Sequence, residues 1–274
     1  MLDKCYAWTK EETDILLESY SITSWQQLTK ILPTKTRYAI RMKASRLGLR
    51  KSRAGGGYKV DEDFFENWSP EVAYIVGVIA ADGGVYINKL HNKHDLEITS
   101  VDVDWLDKIR KVMKAEYQLY KRVYKGKNGK CLLVYRLRIG SKKLVNDLLK
   151  IGITPRKSLT LRFPTIPEHY LSHFVRGYFD GDGDMWTCVR KNHFFMQLSF
   201  CGSRDFLIAL NQIIKNKVGC AAKNINRMEN IFRLRYNTRE AEAVLCWMYH
   251  GATLYLPRKY QKASNFLNAR KRKI

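Results

Sequence analysis

No stretch of this 274-residue chain stays apolar for long. The apolar run that closes on Ala81 is cut by Asp82. That is far short of the about 20 residues a bilayer-spanning helix needs, so a transmembrane protein is excluded. The first twenty residues lack the apolar core of a secretory signal, because Trp8 is followed by Lys10, Glu11, Glu12 and Asp14. Cysteine is sparse and scattered: Cys5, Cys131, Cys188, Cys201, Cys220 and Cys246 form no C-x-x-C pair. Reduced, buried thiols in an intracellular, cytoplasmic protein are expected. Acid is in shortest supply, with 26 Asp+Glu against 49 Lys+Arg, a net charge of +23 and a pI near 9.8. Such an excess asks for a polyanion. A membrane surface competes, but no long basic amphipathic helix with an apolar face is there to enter lipid. Nucleic acid is the expected partner.

Apolar residues make up 45% of the chain and aromatics 12%, which is ample for a packed core and excludes wholesale disorder. The length suggests roughly two domains. Residues 1–49 read as a small helical module. Trp8, Ile15, Leu16 and Tyr20 recur near helical spacing, and Thr9 can cap that helix, with Glu11, Glu12 and Asp14 in its first turn. Ser24 can cap a second helix carrying Trp25, Leu28, Ile31 and Leu32, closed by Pro33. Thr36 can cap a third, through Ala39, Ile40, Lys43, Ala44 and Leu47, ended by Gly48. This third helix holds Arg37, Arg41, Lys43 and Arg46 and no acid. The pattern resembles the Myb/SANT-like helix-turn-helix family. The resemblance implies a third helix in the DNA major groove, with Arg37, Tyr38, Arg41, Lys43 and Ser45 on or near its exposed face. A protein-interaction module is the alternative. Residues 50–66, where Arg50, Lys51, Arg53 and Lys59 flank Gly55-Gly56-Gly57, are expected to form a basic linker.

Beyond that linker the chain repeats itself with a period near 100 residues. Ile75–Gly83 matches Val175–Gly183, with 182 − 82 = 100 between their aspartates. Asp104-Trp105-Leu106 matches Asp205-Phe206-Leu207, Tyr135–Arg138 matches Phe232–Arg235, and Pro155-Arg156-Lys157 matches Pro257-Arg258-Lys259. Four ordered matches at nearly constant offset define repeats at 67–165 and 166–274. Within each, periodicity switches from helical to alternating and back, in the order αββαββα. The expected fold class is therefore α+β: two pseudo-symmetric αββαββα repeats plus a small all-α three-helix module. On the later strands Tyr135, Leu137 and Ile139 oppose Arg136 and Arg138, and Phe232, Leu234 and Tyr236 oppose Arg233 and Arg235. One sheet face is apolar and helix-covered; the other carries arginines, with Arg190 on an earlier strand, that can enter a major groove.

The first helix of each repeat carries small residues four apart: Ala73, Gly77 and Ala81, and then Gly177 and Gly181. Such stripes let two helices approach closely about a pseudo-two-fold axis, and Gly83 and Gly183 are expected to stop both helices at one level. Asp82 and Asp182 then sit at helix C-termini, where the macrodipole and each other's charge oppose them. A divalent cation resolves both conflicts, helped by the helix-terminal carbonyls of Ala81 and Gly181. Two capping aspartates in tight turns would be the plainer account of one such motif, but not of two at this offset. The paired segments resemble the motifs of the LAGLIDADG homing endonucleases in their single-chain, two-repeat form, over about 200 residues. The resemblance implies a saddle whose sheets lie along the major groove of double-stranded DNA, acting as a monomer. It also implies Mg²⁺ or Mn²⁺ at Asp82 and Asp182 and one phosphodiester cut per strand, the activity of intron homing. An RNA-binding intron maturase and a non-cleaving DNA-binding regulator stay open as alternatives. An intein is not expected, since the chain runs from Met1 to Lys273-Ile274 without splice-junction residues. Ala80 stands where the second motif has Asp180, leaving the first motif one acid. Lys157 and Lys259, each 75 to 77 residues beyond its aspartate (157 − 82; 259 − 182), are read as catalytic or as phosphate-backbone contacts.

Overall fold

The computed structural model describes residues 7–20, 23, 25–49, 58–125, 131–190 and 193–271. The chain divides into two units, Met1–Lys59 and Val60–Ile274. In the first, α1 (Lys10–Ser19), α2 (Trp25–Ile31) and α3 (Arg37–Arg46) close on Leu16, Tyr20, Leu28, Leu32, Ile40 and Ala44. Thr9 and Glu12 form a reciprocal capping box on α1, and Thr36 caps α3 through the Ala39 N–H. Gly48, at φ +68°, supplies the left-handed residue just past α3. Ile15 turns outward and is 37% exposed. The expected Ser24 cap, Cys5 and the glycine run of the linker lie outside the described residues.

The second unit holds the repeat. Its first half runs α4 (Pro70–Ala81), β1 (Gly83–Asn88), β2 (Lys93–Ser100), α5 (Val103–Val112), β3 (Tyr120–Lys125), β4 (Cys131–Gly140) and α6 (Lys142–Ile151). The second half runs α7 (Leu171–Asp182), β5 (Gly183–Arg190), β6 (His193–Gly202), α8 (Arg204–Val218), β7 (Ile225–Met228), β8 (Ile231–Asn237) and α9 (Thr238–Tyr249). Each half forms a four-stranded antiparallel sheet, ordered β1-β2-β4-β3 and β5-β6-β8-β7. Alternation puts Val85, Leu96, Ile98, Leu137 and Ile139 of the first sheet inward, where Trp105, Leu106, Leu144 and Leu148 of α5 and α6 join them in the core. Leu198, Leu234 and Tyr236 play the same part beneath α8 and α9. Among the described residues no helix is long and apolar enough to cross a membrane.

Three expectations are corrected. Residues 60–66 belong to the second unit, not to the linker: Phe65 is 4% exposed in its core, and the Asp61 N–H bonds the Met113 carbonyl at 3.2 Å. The Pro-Arg-Lys triplets, alike in sequence, differ in structure. The first opens a single 3₁₀ turn, Lys157–Leu159, and the second a 15-residue helix, α10 (Pro257–Lys271), held by buried Ala263 and Phe266. Finally, the cysteines are expected to be buried, but none of the described ones is: Cys131 and Cys246 are exposed, and Cys188, Cys201 and Cys220 are half-buried.

Candidate active site

The core of the second unit is the crossing of α4 and α7. Val72 through Ala80 are all buried, so α4 is apolar on every side, as a helix enclosed by protein must be. Glycine makes the approach possible. A Cβ on Gly77 would lie 2.2 Å from the Phe174 carbonyl oxygen, and one on Gly177 would lie 2.0 Å from that of Tyr74. The contacts are reciprocal at the repeat offset, which is the signature of a local pseudo-two-fold axis.

That crossing delivers Asp82, the C-cap of α4, and Asp182, the last residue of α7, to one place. A Cβ on Gly181 would touch Ala81 and sit 3.3 Å from the Asp82 Cγ, so the Asp82 carboxyl lies over the residue that precedes Asp182. Neither helix ends through a left-handed glycine. Gly183 has φ −84° and ψ 157°, and Gly83 likewise opens a strand. Their glycine is steric: a Cβ on Gly83 would meet the Ile79 Cα at 2.7 Å, and one on Gly183 the Phe179 oxygen at 2.5 Å.

Both carboxylates reach solvent, yet protein crowds them from beneath. Burial pushes the Asp82 carboxyl up, against the pull of Lys259, Lys157 and Arg258. Burial, reinforced by the neighbouring Asp82, raises Asp182 to about 6. Among the described residues neither accepts a hydrogen bond or forms an ion pair. Two carboxylates, close together and unsatisfied, offer oxygen donors of the kind a hard divalent cation takes.

The two lysines are buried, 5% and 8% exposed, and turned inward on the helix ends. Lys157 Nζ donates to the Gly83 carbonyl at 2.7 Å. Lys259 Nζ donates to the carbonyls of Phe179 (2.6 Å), Asp180 (2.9 Å), Gly181 (3.3 Å) and Gly183 (2.6 Å), and lies 5.0 Å from the Phe179 ring centre. An ammonium at a helix C-terminus satisfies orphan carbonyls and offsets their partial negative charge. Burial lowers both lysines to about 8, with the aspartates opposing. The backbone-phosphate reading of these lysines does not suit side chains so enclosed. The Gly181 carbonyl, expected to face a metal, already receives the longest of the Lys259 bonds.

Sequence reasoning missed a buried polar network between the motif helices. Asp180 accepts from the Tyr74 hydroxyl (2.7 Å) and the Leu256 N–H (2.8 Å), and Tyr74 in turn accepts from Trp105 Nε1 (2.8 Å). Burial lifts Asp180 to about 6. Arg176, fully buried, donates to the carbonyls of Leu254 and Met248 and lies over the Tyr74 ring. The signal was legible as ionisable residues inside an apolar helical run. Beside Asp82 a cleft between the β1–β2 hairpin and residues 154–158 carries His91, Lys93, Arg138, Arg156 and Lys157 on its wall.

The expected DNA-facing residues are distributed as follows. Arg136 and Arg138 lie on the first sheet's open face, in ion pairs with Glu97 and Asp95; Arg233 and Arg235 occupy the matching face of the second. Arg190 closes β5, and its side chain lies outside the described residues. In the N-terminal unit Arg41 is exposed, Arg37 stacks over Trp25 at 4.7 Å, and Lys43 lies 5.7 Å from the Trp8 ring centre.

No family model and no curated protein matches the chain. Solved structures do. The homing endonuclease I-WcaI bound to its DNA recognition sequence aligns with a TM-score of 0.52 and 16% identity, over 74% of this chain and 91% of that one. The LAGLIDADG meganuclease I-AabMI bound to uncleaved DNA aligns at 0.50 and 13%, over 75% and 93%. The fold of the second unit is the one these proteins share.

Proposed function

We propose that this chain is a site-specific double-strand DNA endonuclease of the LAGLIDADG homing type. It cuts one phosphodiester per strand with a divalent cation, Mg²⁺ or Mn²⁺, held by Asp82 and Asp182. The observation that carries the reading is the pair of solvent-reaching, unsatisfied carboxylates that the Gly77–Gly177 crossing brings together. The likeness to proteins crystallised on DNA supports it. The donor set fits such an ion, since Mg²⁺ takes one or two carboxylates and completes its shell with waters and substrate phosphates. A bound dication supplies a polarised water and neutralises charge building on the phosphate.

The chain's own residues do the rest. Asp82 and Asp182 fix the reacting centre on the pseudo-axis, one for each strand, with the Ala81 and Gly181 carbonyls beside them. Lys157 and Lys259 hold the two aspartate-bearing turns by their carbonyls and keep positive charge close behind the carboxylates. The basic cleft at His91, Lys93 and Arg156 receives backbone phosphates, and the arginine-bearing sheet faces read the major groove. Two repeats supply what two subunits would, so the chain acts as a monomer. The N-terminal unit is a Myb/SANT-like reader that lays α3, with Tyr38 and Arg41 outward, on adjoining duplex.

The test is cleavage of a library of duplexes with Mg²⁺ or with a chelator. Metal-dependent double-strand cutting at one sequence is expected. Asp82→Asn and Asp182→Asn should each slow it by at least about a hundredfold while leaving binding intact. Specific binding without cutting by the parent chain would make it a regulator, and preference for structured RNA a maturase.

A further inference from the structure

The two sheets present their arginines in different company. Across the ladders Arg138 stands opposite Glu97 and Arg136 opposite Thr99; Arg235 stands opposite Ser199 and Arg233 opposite Cys201. The arginines are thus equivalent in pairs. Tyr86 faces Asp95 where Trp186 faces Gln197, so the positions of Asp95 and Glu97 are those of Gln197 and Ser199 in the second sheet.

Each first-sheet arginine reaches diagonally to a carboxylate. Arg136 Nη1 lies 3.3 and 3.2 Å from the two Glu97 oxygens, and Arg138 Nη2 lies 2.8 Å from Asp95 Oδ2. The acids are well covered, with side chains 15% and 12% exposed. On the second sheet Arg233 Nε meets the Cys201 sulfur at 3.4 Å, and Arg235 Nη2 meets that of Met228 at 4.0 Å. Neither is ion-paired among the described residues; a buried Nε without a partner is common to both sheets, at Arg136 and at Arg235, so the carboxylates are what distinguishes the first.

These differences matter on a surface that meets a polyanion. A carboxylate there subtracts from the counterion-release contribution to affinity. It also restrains a flexible guanidinium, leaving its other edge as a pre-set donor fork. Arginine gives to guanine O6 and N7 while an acid accepts from cytosine N4, so an arginine–carboxylate pair complements a G·C pair. We infer that, granted the DNA-reading role proposed above, the first sheet is the discriminating half of the reader and the second the anchoring half. Asp95 and Glu97 are specificity-determining residues that select G·C pairs and lower affinity in doing so.

The test uses the full chain and a pool of random-sequence duplexes, without added Mg²⁺ or Mn²⁺. The isosteric double variant Asp95→Asn/Glu97→Gln should bind the unselected pool roughly tenfold more tightly, with a log–log salt slope steeper by about 2. Its enriched motif should lose about tenfold of G·C preference in one half only, the half that Arg138→Met also erases. Gln197→Asp, which places an acid beside Arg235, should do the reverse: weaker binding of the pool and a sharper second half. Thermal melting near the parent's confirms that these variants fold. A motif as sharp in the double variant as in the parent, or blurred equally in both halves, overturns this inference alone. A parent chain that enriches no motif overturns the reading of the sheets as DNA readers, and this inference with it.

Discussion

At the scale of the residue, the two buried lysines behind the motif aspartates share a triplet and a depth but not a task of equal weight. Lys259 serves four carbonyls at the end of α7, whereas Lys157 serves one beside α4. A buried carbonyl left without its donor costs about 1–3 kcal/mol, less where water can follow. Lys259→Met is therefore expected to destabilise the second unit by about 3 kcal/mol and Lys157→Met by about 1 kcal/mol. At roughly 2–4 °C per kcal/mol for a unit of this size, calorimetry should separate the two melting points clearly. Equal shifts would mean that the carbonyl contacts do not carry the difference. Asp180 is a second test at this scale. Alanine there reproduces the first motif's Ala80 but strands the Tyr74 hydroxyl and the Leu256 N–H. Asp180→Ala should cost about 3 kcal/mol, and Tyr74→Phe should cost less in its presence than in the parent, because the two residues form one network.

At the scale of the element, the α4–α7 crossing decides where both aspartates stand. Gly77→Ala or Gly177→Ala would drive a methyl to within about 2 Å of a carbonyl across the interface, and neither helix can yield without moving its aspartate. Each is expected to cost more than about 3 kcal/mol and to depress cleavage further than stability alone explains. Gly219→Ala, at φ +73° with open space around it, should cost only about 1 kcal/mol. Comparable melting points for the three variants would contradict the close packing. This crossing was readable in the sequence because a small residue every fourth position has few other uses on an apolar helix. The αββαββα order was readable for a similar reason: alternation and helical spacing each act over a few residues, and the repeat supplied a second copy of every signal. What escaped depends on distant partners. The helix α10 begins with the same triplet that makes a single turn in the first repeat, and Ala263 and Phe266 decide its fate only by finding a core. Gly83 and Gly183 looked like helix stops, while their actual constraint is the Ile79 and Phe179 backbone four residues back. The acids on β2 sat in plain sight, but their pairing with β4 arises from strand register, which the spacing alone did not give.

At the scale of the whole molecule, two units with separate cores share one chain. The N-terminal unit is small, and its core of Leu16, Leu28, Leu32, Ile40 and Ala44 is complete without the repeats. The repeats likewise bury their own apolar surface, from Phe65 to Phe266. Cutting the chain between them should therefore leave the second unit folded, with its melting transition unchanged. Its duplex binding should change in a defined way. A tethered reader acts at high effective concentration once the repeats are bound, so its loss weakens the whole complex beyond its own modest affinity. Removal of residues 1–59 is expected to weaken binding by roughly 10- to 100-fold. Arg41 and the other basic residues of α3 leave with it, so the salt dependence should flatten by about 1 in slope for each phosphate that the module neutralises. The protected length of DNA should shorten at one end only, because a single module adjoins a pseudo-symmetric reader. The rate of strand cutting at saturating protein should not change, since Asp82 and Asp182 remain in place. Nuclease footprinting beside single-turnover cleavage measures all of these together. An unshortened footprint with parental affinity would show that the module binds a protein instead, and a slower saturated rate would show that it helps to place the duplex on the aspartates.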